Sequence, residues 1–268
     1  MPKFYSLFSS SKGNWAYLEN VSGGILIDAS PSFKSIENAF SLREISLENL
    51  KGVIITHEHS DHIGGLKTLT KKLGVPIYAS KKVLNYLNDK DFLHPDSKTI
   101  EIDENGSFEV SGFEISPFRT PHDALESFGF IINYKNSKFG FATDLGYLPR
   151  QAFELIRGSA LVYIESNHDK KMLMNCQYPY IIKKRIAGDS GHLSNEQASQ
   201  IVVDLARFGT KYFVLSHISE NSNTLEQAYV TNARALEDAG YQLEKDIFIR
   251  YSRQVRPGNY FYFGEENV

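Results

Sequence analysis

The run His57-Glu58-His59-Ser60-Asp61-His62 follows directly on Gly52-Val53-Ile54-Ile55, and this junction constrains the chain more than any other feature. The compact β-branched run Gly52 to Ile55 reads as a buried strand. Imidazoles and a carboxylate are therefore crowded where a strand ends, the position from which a rigid scaffold presents functional groups. Extended spacing puts His57 and His59 on one side of the chain. Asp61 and His62 enter a helix expected from about His62 to Leu73 and are placed differently, so one segment can offer ligands to two neighbouring ions. Imidazole and carboxylate at this density suit zinc-like metals. The alternative is a polar loop that happens to be rich in histidine.

One segment cannot complete two metal sites. Three further residues occupy the same context, just past an expected strand: His122 after Phe118-Arg119-Thr120-Pro121, Asp144 after Phe139-Gly140-Phe141-Ala142-Thr143, and His217 after Tyr212-Phe213-Val214-Leu215-Ser216. Each alone reads as a loop or core residue; the recurrence of the placement makes them candidate ligands. Asp28 ends Gly24-Ile25-Leu26-Ile27 and reads either as a carboxylate that orients a ligand or as a turn-capping aspartate.

Around these points the chain alternates in a way that predicts an α/β protein. Strands are expected at Phe4–Leu7, Trp15–Glu19, Gly24–Ile27, Gly52–Ile55, Pro76–Ala79, Thr99–Ile102, Ser107–Val110, Phe113–Pro117, Ser127–Tyr134, Lys138–Ala142, Ala160–Glu165, Tyr212–Ser216 and Asp246–Tyr251. Helices are expected at Ser35–Phe40, His62–Leu73, Lys82–Asn88, Pro149–Ile156, Asn195–Phe208 and Thr224–Ala239. No repeat or Pro/Ser-rich linker divides the 268 residues, which read as a single domain, 1–268. The single cysteine, Cys176, rules out an intramolecular disulfide and fits a reducing compartment. The opening residues lack a secretory pattern and no apolar run is long enough to span a membrane, so a cytoplasmic protein is expected. The net charge of −3 is not that of an overall basic nucleic-acid binder.

With its later His, Asp and His each closing a strand, HEHSDH resembles the signature of the metallo-β-lactamase superfamily. The resemblance runs from Asp28 to His217. It implies an αβ/βα sandwich of two mixed β-sheets flanked by helices, and two divalent metal ions, zinc or manganese foremost and iron as a further option. By this mapping one metal takes His57, His59 and His122, the other takes Asp61, His62 and His217, and Asp144 bridges both. A bridging hydroxide, its pKa lowered by both charges, would be the nucleophile, with Asp61 part of the catalytic apparatus.

Asp144 separates the chain from true β-lactamases of the superfamily, which lack a bridging aspartate there, and resembles the glyoxalase II, tRNase Z and nuclease branches. The stretches Glu165-Ser166-Asn167-His168-Asp169, Gly191-His192-Leu193-Ser194-Asn195-Glu196-Gln197-Ala198 and Leu215-Ser216-His217-Ile218-Ser219 resemble the YycJ (WalJ)-like group. That resemblance implies a phosphodiesterase, a 5′ DNA exonuclease, with nucleic acid as substrate and no obligate protein partner. His192, with His168 as its partner, would protonate the leaving group or hold the phosphate; Ser194 or Asn195 caps a helix. The group's Gly-Ser-Ser-Gly-Asn-Ala loop stands here as Ser10-Ser11-Lys12-Gly13-Asn14-Trp15. Lys12 and Asn14 become candidate substrate contacts and Trp15 reads as core. Lys184 and Arg185, in the basic run beside the histidines, are candidate phosphate contacts. Thioester or lactone hydrolysis of the glyoxalase II kind and a non-catalytic, metal-stabilised interaction protein are the rival expectations.

Overall fold

A computed structural model describes residues 2–10, 13–30, 32–252 and 260–262. The chain runs β1 (Lys3–Ser10), β2 (Gly13–Asn20), β3 (Gly23–Ile27), α1 (Phe33–Ser41), β4 (Leu50–Ile54), α2 (Ser60–Ile63), α3 (Leu66–Leu73), β5 (Ile77–Ala79), α4 (Lys81–Asp89), β6 (Thr99–Glu101), β7 (Phe108–Val110) and β8 (Phe113–Arg119). It continues through β9 (Phe128–Tyr134), β10 (Ser137–Ala142), α5 (Arg150–Ile156), β11 (Leu161–Glu165), α6 (Lys170–Asn175), α7 (Tyr180–Ile186), α8 (Asn195–Arg207), β12 (Tyr212–Ser216), α9 (Leu225–Asp238), β13 (Phe248–Tyr251) and β14 (Tyr260–Tyr262). The strands form two seven-stranded sheets, ordered β14-β1-β2-β3-β4-β5-β6 and β13-β12-β11-β10-β9-β8-β7. Both are mixed. In the first, β1, β2 and β3 pair antiparallel before β3, β4, β5 and β6 pair parallel; in the second, β10 to β13 are parallel and β9 joins β10 antiparallel.

The chain resolves into two compact units: residues 1–117, 124–128 and 253–268, and residues 118–123 and 129–252. In the first unit, α1, α3 and α4 lay Phe33, Ile36, Phe40, Leu66, Leu69, Val83 and Leu87 against Tyr17, Leu26, Val53 and Ile77 of the strands. Trp15 belongs to this core and is buried. Each such side chain removed from water stabilises the fold by roughly 1.5–3 kcal/mol. In the second unit, α5, α8 and α9 bury Ile156, Val202, Leu205, Ala228 and Leu236 against Val162, Ile164, Phe213 and Leu215. The buried strands β4 and β11 thereby become stiff supports for whatever follows their C-terminal ends.

The expected strands and helices are present, with ends shifted by one to a few residues. One expectation needs correction. The helix anticipated from His62 to Leu73 is two helices, broken at Gly64-Gly65. Gly65 donates its N–H to the carbonyl of Ala29 at 2.7 Å, and Ala29 donates to the carbonyl of His62 at the same distance. A Cβ on Gly65 would stand 2.9 Å from that Ala29 oxygen, so the glycine admits a close backbone approach that an uninterrupted helix would deny. The short helices α6 and α7 and the strand β14, which pairs with β1, are additions to the sequence-based reading. Among the described residues no helix is long and apolar enough to cross a membrane.

Candidate metal centre

In the first unit the histidine run leaves β4 over a buried anchor. Asp28, just past β3, accepts hydrogen bonds from Thr56 N at 2.8 Å and from Thr56 Oγ1, and its Oδ2 lies 2.7 Å from His62 Nδ1. Asp28 therefore holds the His62 ring at Nδ1. Burial pushes the Asp28 carboxyl up, while His62 and the Thr56 bonds act against that shift. A carboxylate on Nδ1 holds the imidazole in the tautomer whose lone pair is on Nε2, the usual support for a metal-ligating histidine. Thr56 Oγ1 is also 2.9 Å from His57 Nδ1, so one threonine ties together both rings and Asp28. The ring centres of His57 and His59 are 4.6 Å apart and those of His57 and His62 are 4.1 Å apart. Asp61 Oδ2 is 3.4 Å from His62 Nε2. Next in the run, Glu58 accepts the backbone N–H of Leu125 at 2.8 Å.

In the second unit the organising group is Glu165, the last residue of β11. It is fully buried and takes the backbone N–H groups of Asp144, Leu145 and Leu193 at 3.2, 3.1 and 2.8 Å. Its Oε2 also meets His217 Nδ1 at 2.9 Å and His192 Nδ1 at 3.1 Å. Burial would raise this carboxyl, but the two histidines, His192 foremost, outweigh it and hold Glu165 well below the usual carboxylate range. Asp144, Glu165, His192 and His217 bring one ligand atom each within 4.8 Å of one another. Asp144 Oδ1 lies 3.2 Å from His217 Nδ1 and 3.9 Å from His122 Nε2, and His122 Nδ1 is 3.2 Å from the carbonyl oxygen of Gly191. Buried imidazoles and a carboxylate, backed by a second carboxylate, make a donor set that fits a divalent cation.

The two histidines paired on sequence differ here. His192 keeps 18% of its side chain exposed, whereas His168 is 1% exposed. Burial holds His168 down at about 4, with Glu165 opposing. Its segment is locked by an Asn and Ser network: Asn223 donates to the carbonyls of Ser166 and Asn167, and Ser166 Oγ donates to Asn195. Ser194 is the cap of α8, in a reciprocal box with Gln197, and Asn195 serves that buried network instead. Arg185 is ion-paired with Asp123, next to His122, and Lys184 is exposed. Lys12 lies outside the described residues, as does the side chain of Asn14, whose backbone pairs with Ser9 in β1.

Glu165 is the site residue that the sequence reasoning passed over. The signal was there: it terminates an apolar strand, the same placement that nominated His122, Asp144 and His217.

Two mixed sheets with helices packed on them, and a His/Asp cluster at strand ends in each unit, define a metallo-hydrolase class of fold. Solved structures agree. The metallo-beta-lactamase fold protein YhfI from Bacillus subtilis matches with a TM-score of 0.74 at 14% identity, over 98% of this chain and 99% of that one. Zn(2+)-bound PqqB from Methylobacterium extorquens matches at 0.70 and 17%, over 98% and 100%. A model of the beta-lactamase superfamily domain matches residues 24–218. Exodeoxyribonuclease YycJ of Bacillus anthracis is 35% identical over 248 residues, covering 89% of this chain and 90% of that protein. Exodeoxyribonuclease WalJ of Streptococcus pneumoniae is 33% identical over 250 residues, covering 92% and 93%. The chain belongs to the beta-lactamase superfamily and, within it, to the family that contains YycJ and WalJ.

Proposed function

We propose that this protein is a metal-dependent phosphodiesterase that removes nucleotides from a DNA end. The observation that carries this reading is the near full-length similarity to two proteins called exodeoxyribonucleases. The ligands are His57, His59, Asp61, His62, His122, Asp144 and His217, holding two divalent ions, zinc or manganese. When bound, such ions supply a nucleophile at neutral pH and neutralise charge on a phosphate.

The chain's own groups divide the work. Asp28 and Glu165 hold His62 and His217 through Nδ1, which would leave the Nε2 lone pair of each ring free for an ion. Glu165 also fixes the ring of His192, the most exposed of the second unit's four histidines. His192 is thus the group to hand a proton to the leaving oxygen or to hold the phosphate. His168, buried and kept neutral, supports this loop from behind.

The test is turnover by metal-analysed protein of end-labelled single-stranded and duplex DNA, RNA, an aryl phosphodiester and a glutathione thioester. DNA shortened from one end is expected, and turnover of the thioester alone would overturn the nuclease reading. His192→Ala is expected to keep its metals and lose roughly 10²- to 10⁴-fold in rate; full activity in that variant would remove His192 from the mechanism.

A further inference from the structure

The parallel strands β11 and β12 pair in register up to Glu165 and Ser216, and one more main-chain bond follows, from the N–H of Ser166 to the carbonyl of Ser216 at 3.0 Å. At the next residue the chain leaves the extended line, because His217 has φ 49°. There a side chain takes over the pairing: Asn167 Nδ2 donates to the carbonyl of His217 at 2.8 Å.

Asn167 holds that loop a second time. Its own carbonyl accepts the N–H of Ser219 at 2.9 Å, so both ends of His217-Ile218-Ser219 are bonded to one buried residue. The N–H of Asn167 donates to the carbonyl of Leu193, the residue after His192, at 2.9 Å. Two residues earlier, Glu165 meets the Nδ1 atoms of the same two histidines. Glu165 thus fixes the rings, and Asn167 fixes the main chain that carries them.

Asn167 is itself held from α8 and α9. Asn223, just before α9, donates to the carbonyls of Asn167 and Ser166 at 3.0 and 2.9 Å, and exchanges side-chain bonds with Asn195 at 2.9 and 2.8 Å. All of these residues are buried. Elsewhere these helices fill the space above the sheet with Val202, Leu205, Ala228 and Leu236, and packing alone would be served by apolar residues here too. An apolar residue at 167 would take this donor from the carbonyl of His217, and a buried acceptor that loses its donor is costly.

We infer that Asn167 is a positioning residue for the metal site: it sets the main chain of His217, and so where the His217 ring stands, without touching metal or substrate. This rests on His217 being a metal ligand, as proposed above, and not on the identity of the substrate.

The experiment compares three variants of the full-length protein. Asn167→Ala removes the donor, and Asn167→Leu removes it at nearly constant shape. Asn232→Ala is the control, a buried residue of the same network whose amide donates to Ser166 Oγ and to the carbonyl of Ala228. Each alanine variant is expected to lower the urea midpoint of the metal-free protein by roughly 0.5 M. Zinc affinity, read by chelator competition, is expected to fall about tenfold in both Asn167 variants and to stay at the parent value in Asn232→Ala. Loaded with cobalt(II), the Asn167 variants should show a shifted visible absorption band and Asn232→Ala the parent's band, since that band reports ligand geometry.

Parental zinc affinity and cobalt spectrum in Asn167→Ala overturn the inference. An equal loss of zinc affinity in Asn232→Ala does the same, as the mark of a network that serves stability alone. His217→Ala separates the two readings. If it binds zinc as tightly as the parent, the ligand assignment fails and takes this inference with it; if it loses zinc while Asn167→Ala does not, the assignment stands and the positioning role falls. Should neither Asn167 variant fold, NMR of the metal-free parent decides. Slow solvent exchange of the Asn167 side-chain amide supports its bond to His217, and exchange at the rate of an exposed amide overturns it.

Discussion

Replacing Glu165 by glutamine tests how the second cluster is held. The side chain keeps its shape but loses its charge and one acceptor. If the amide oxygen takes the place of Oε1, it keeps the N–H groups of Leu145 and Leu193. The new NH₂ then faces the N–H of Asp144 and the Nδ1 atoms of His192 and His217. Two donors against each other leave an unmet buried group, at about 1–3 kcal/mol. His217 escapes the conflict only by accepting at Nδ1, which moves its proton to Nε2, the nitrogen a metal needs. We expect metal-free Glu165→Gln to lose about 3 kcal/mol, counting one unmet donor and one weakened charge-assisted bond. That is a fall of about 1 M or more in urea midpoint. Metal affinity should drop 10- to 100-fold, the usual consequence of removing the partner behind a ligating histidine. Urea unfolding and metal content after dialysis against graded chelator read the two effects separately. A variant with the parent's midpoint and the parent's metal retention would refute the argument that Glu165 sets the tautomer of His217.

Three further outcomes follow from the same geometry. Asp144 has φ 57°, so metal-free Asp144→Gly should be about 1 kcal/mol more stable than Asp144→Ala; both should bind fewer metal ions than the parent, and equal urea midpoints would deny the strain. His168 is held at about 4 in the fold against an ordinary 6.5, so the unfolded chain takes the proton first. Its contribution is intact above pH 6.5 and is lost as pH falls towards 4, by about 3 kcal/mol; pH-dependent unfolding of metal-free parent and His168→Gln should diverge in that window, and parallel curves would refute it. A Cβ at Gly191 would stand 2.2 Å from the carbonyl oxygens of Arg185 and Ile186, so Gly191→Ala should displace the His192 loop, lowering thermal stability and nuclease rate together, and a variant with parental values for both would show that the loop yields freely.

How much of this was legible in the sequence depends on the range of the interaction that decides each feature. Strand β4 and the cluster after it announce themselves locally, by β-branched residues and ligand density. The break at Gly64-Gly65 does not, because it is imposed by Ala29, far off in sequence and 2.7 Å away in space. The helices α6 and α7, of 6 and 7 residues, are too short for a period to show, although Asp169 caps α6 by accepting the Met172 N–H. Strand β14 exists by pairing with β1. Glu165 could have been read by the rule that found Asp144, yet its burial beneath two histidines is a fact of three dimensions only.

The two units solve one problem twice. Each sets a buried carboxylate at the end of a strand against the Nδ1 of a histidine: Asp28, just past β3, on His62, and Glu165, the last residue of β11, on His217. Asp28, Asp144 and His217 all adopt φ between 49° and 61°, a left-handed conformation that costs a non-glycine residue of order 1–3 kcal/mol. Folding alone gives no reason to place that cost at three strand ends, where glycine would relieve it. Glycine would also delete the side chain. The left-handed turn and a side chain of the proposed site are demanded of the same residue, the proposed ligand at Asp144 and His217 and the carboxylate behind His62 at Asp28, and the buried bonds around Thr56 and Glu165 hold the chain there. On this reasoning the stability of the metal-free protein and the quality of its metal site oppose each other at these three positions.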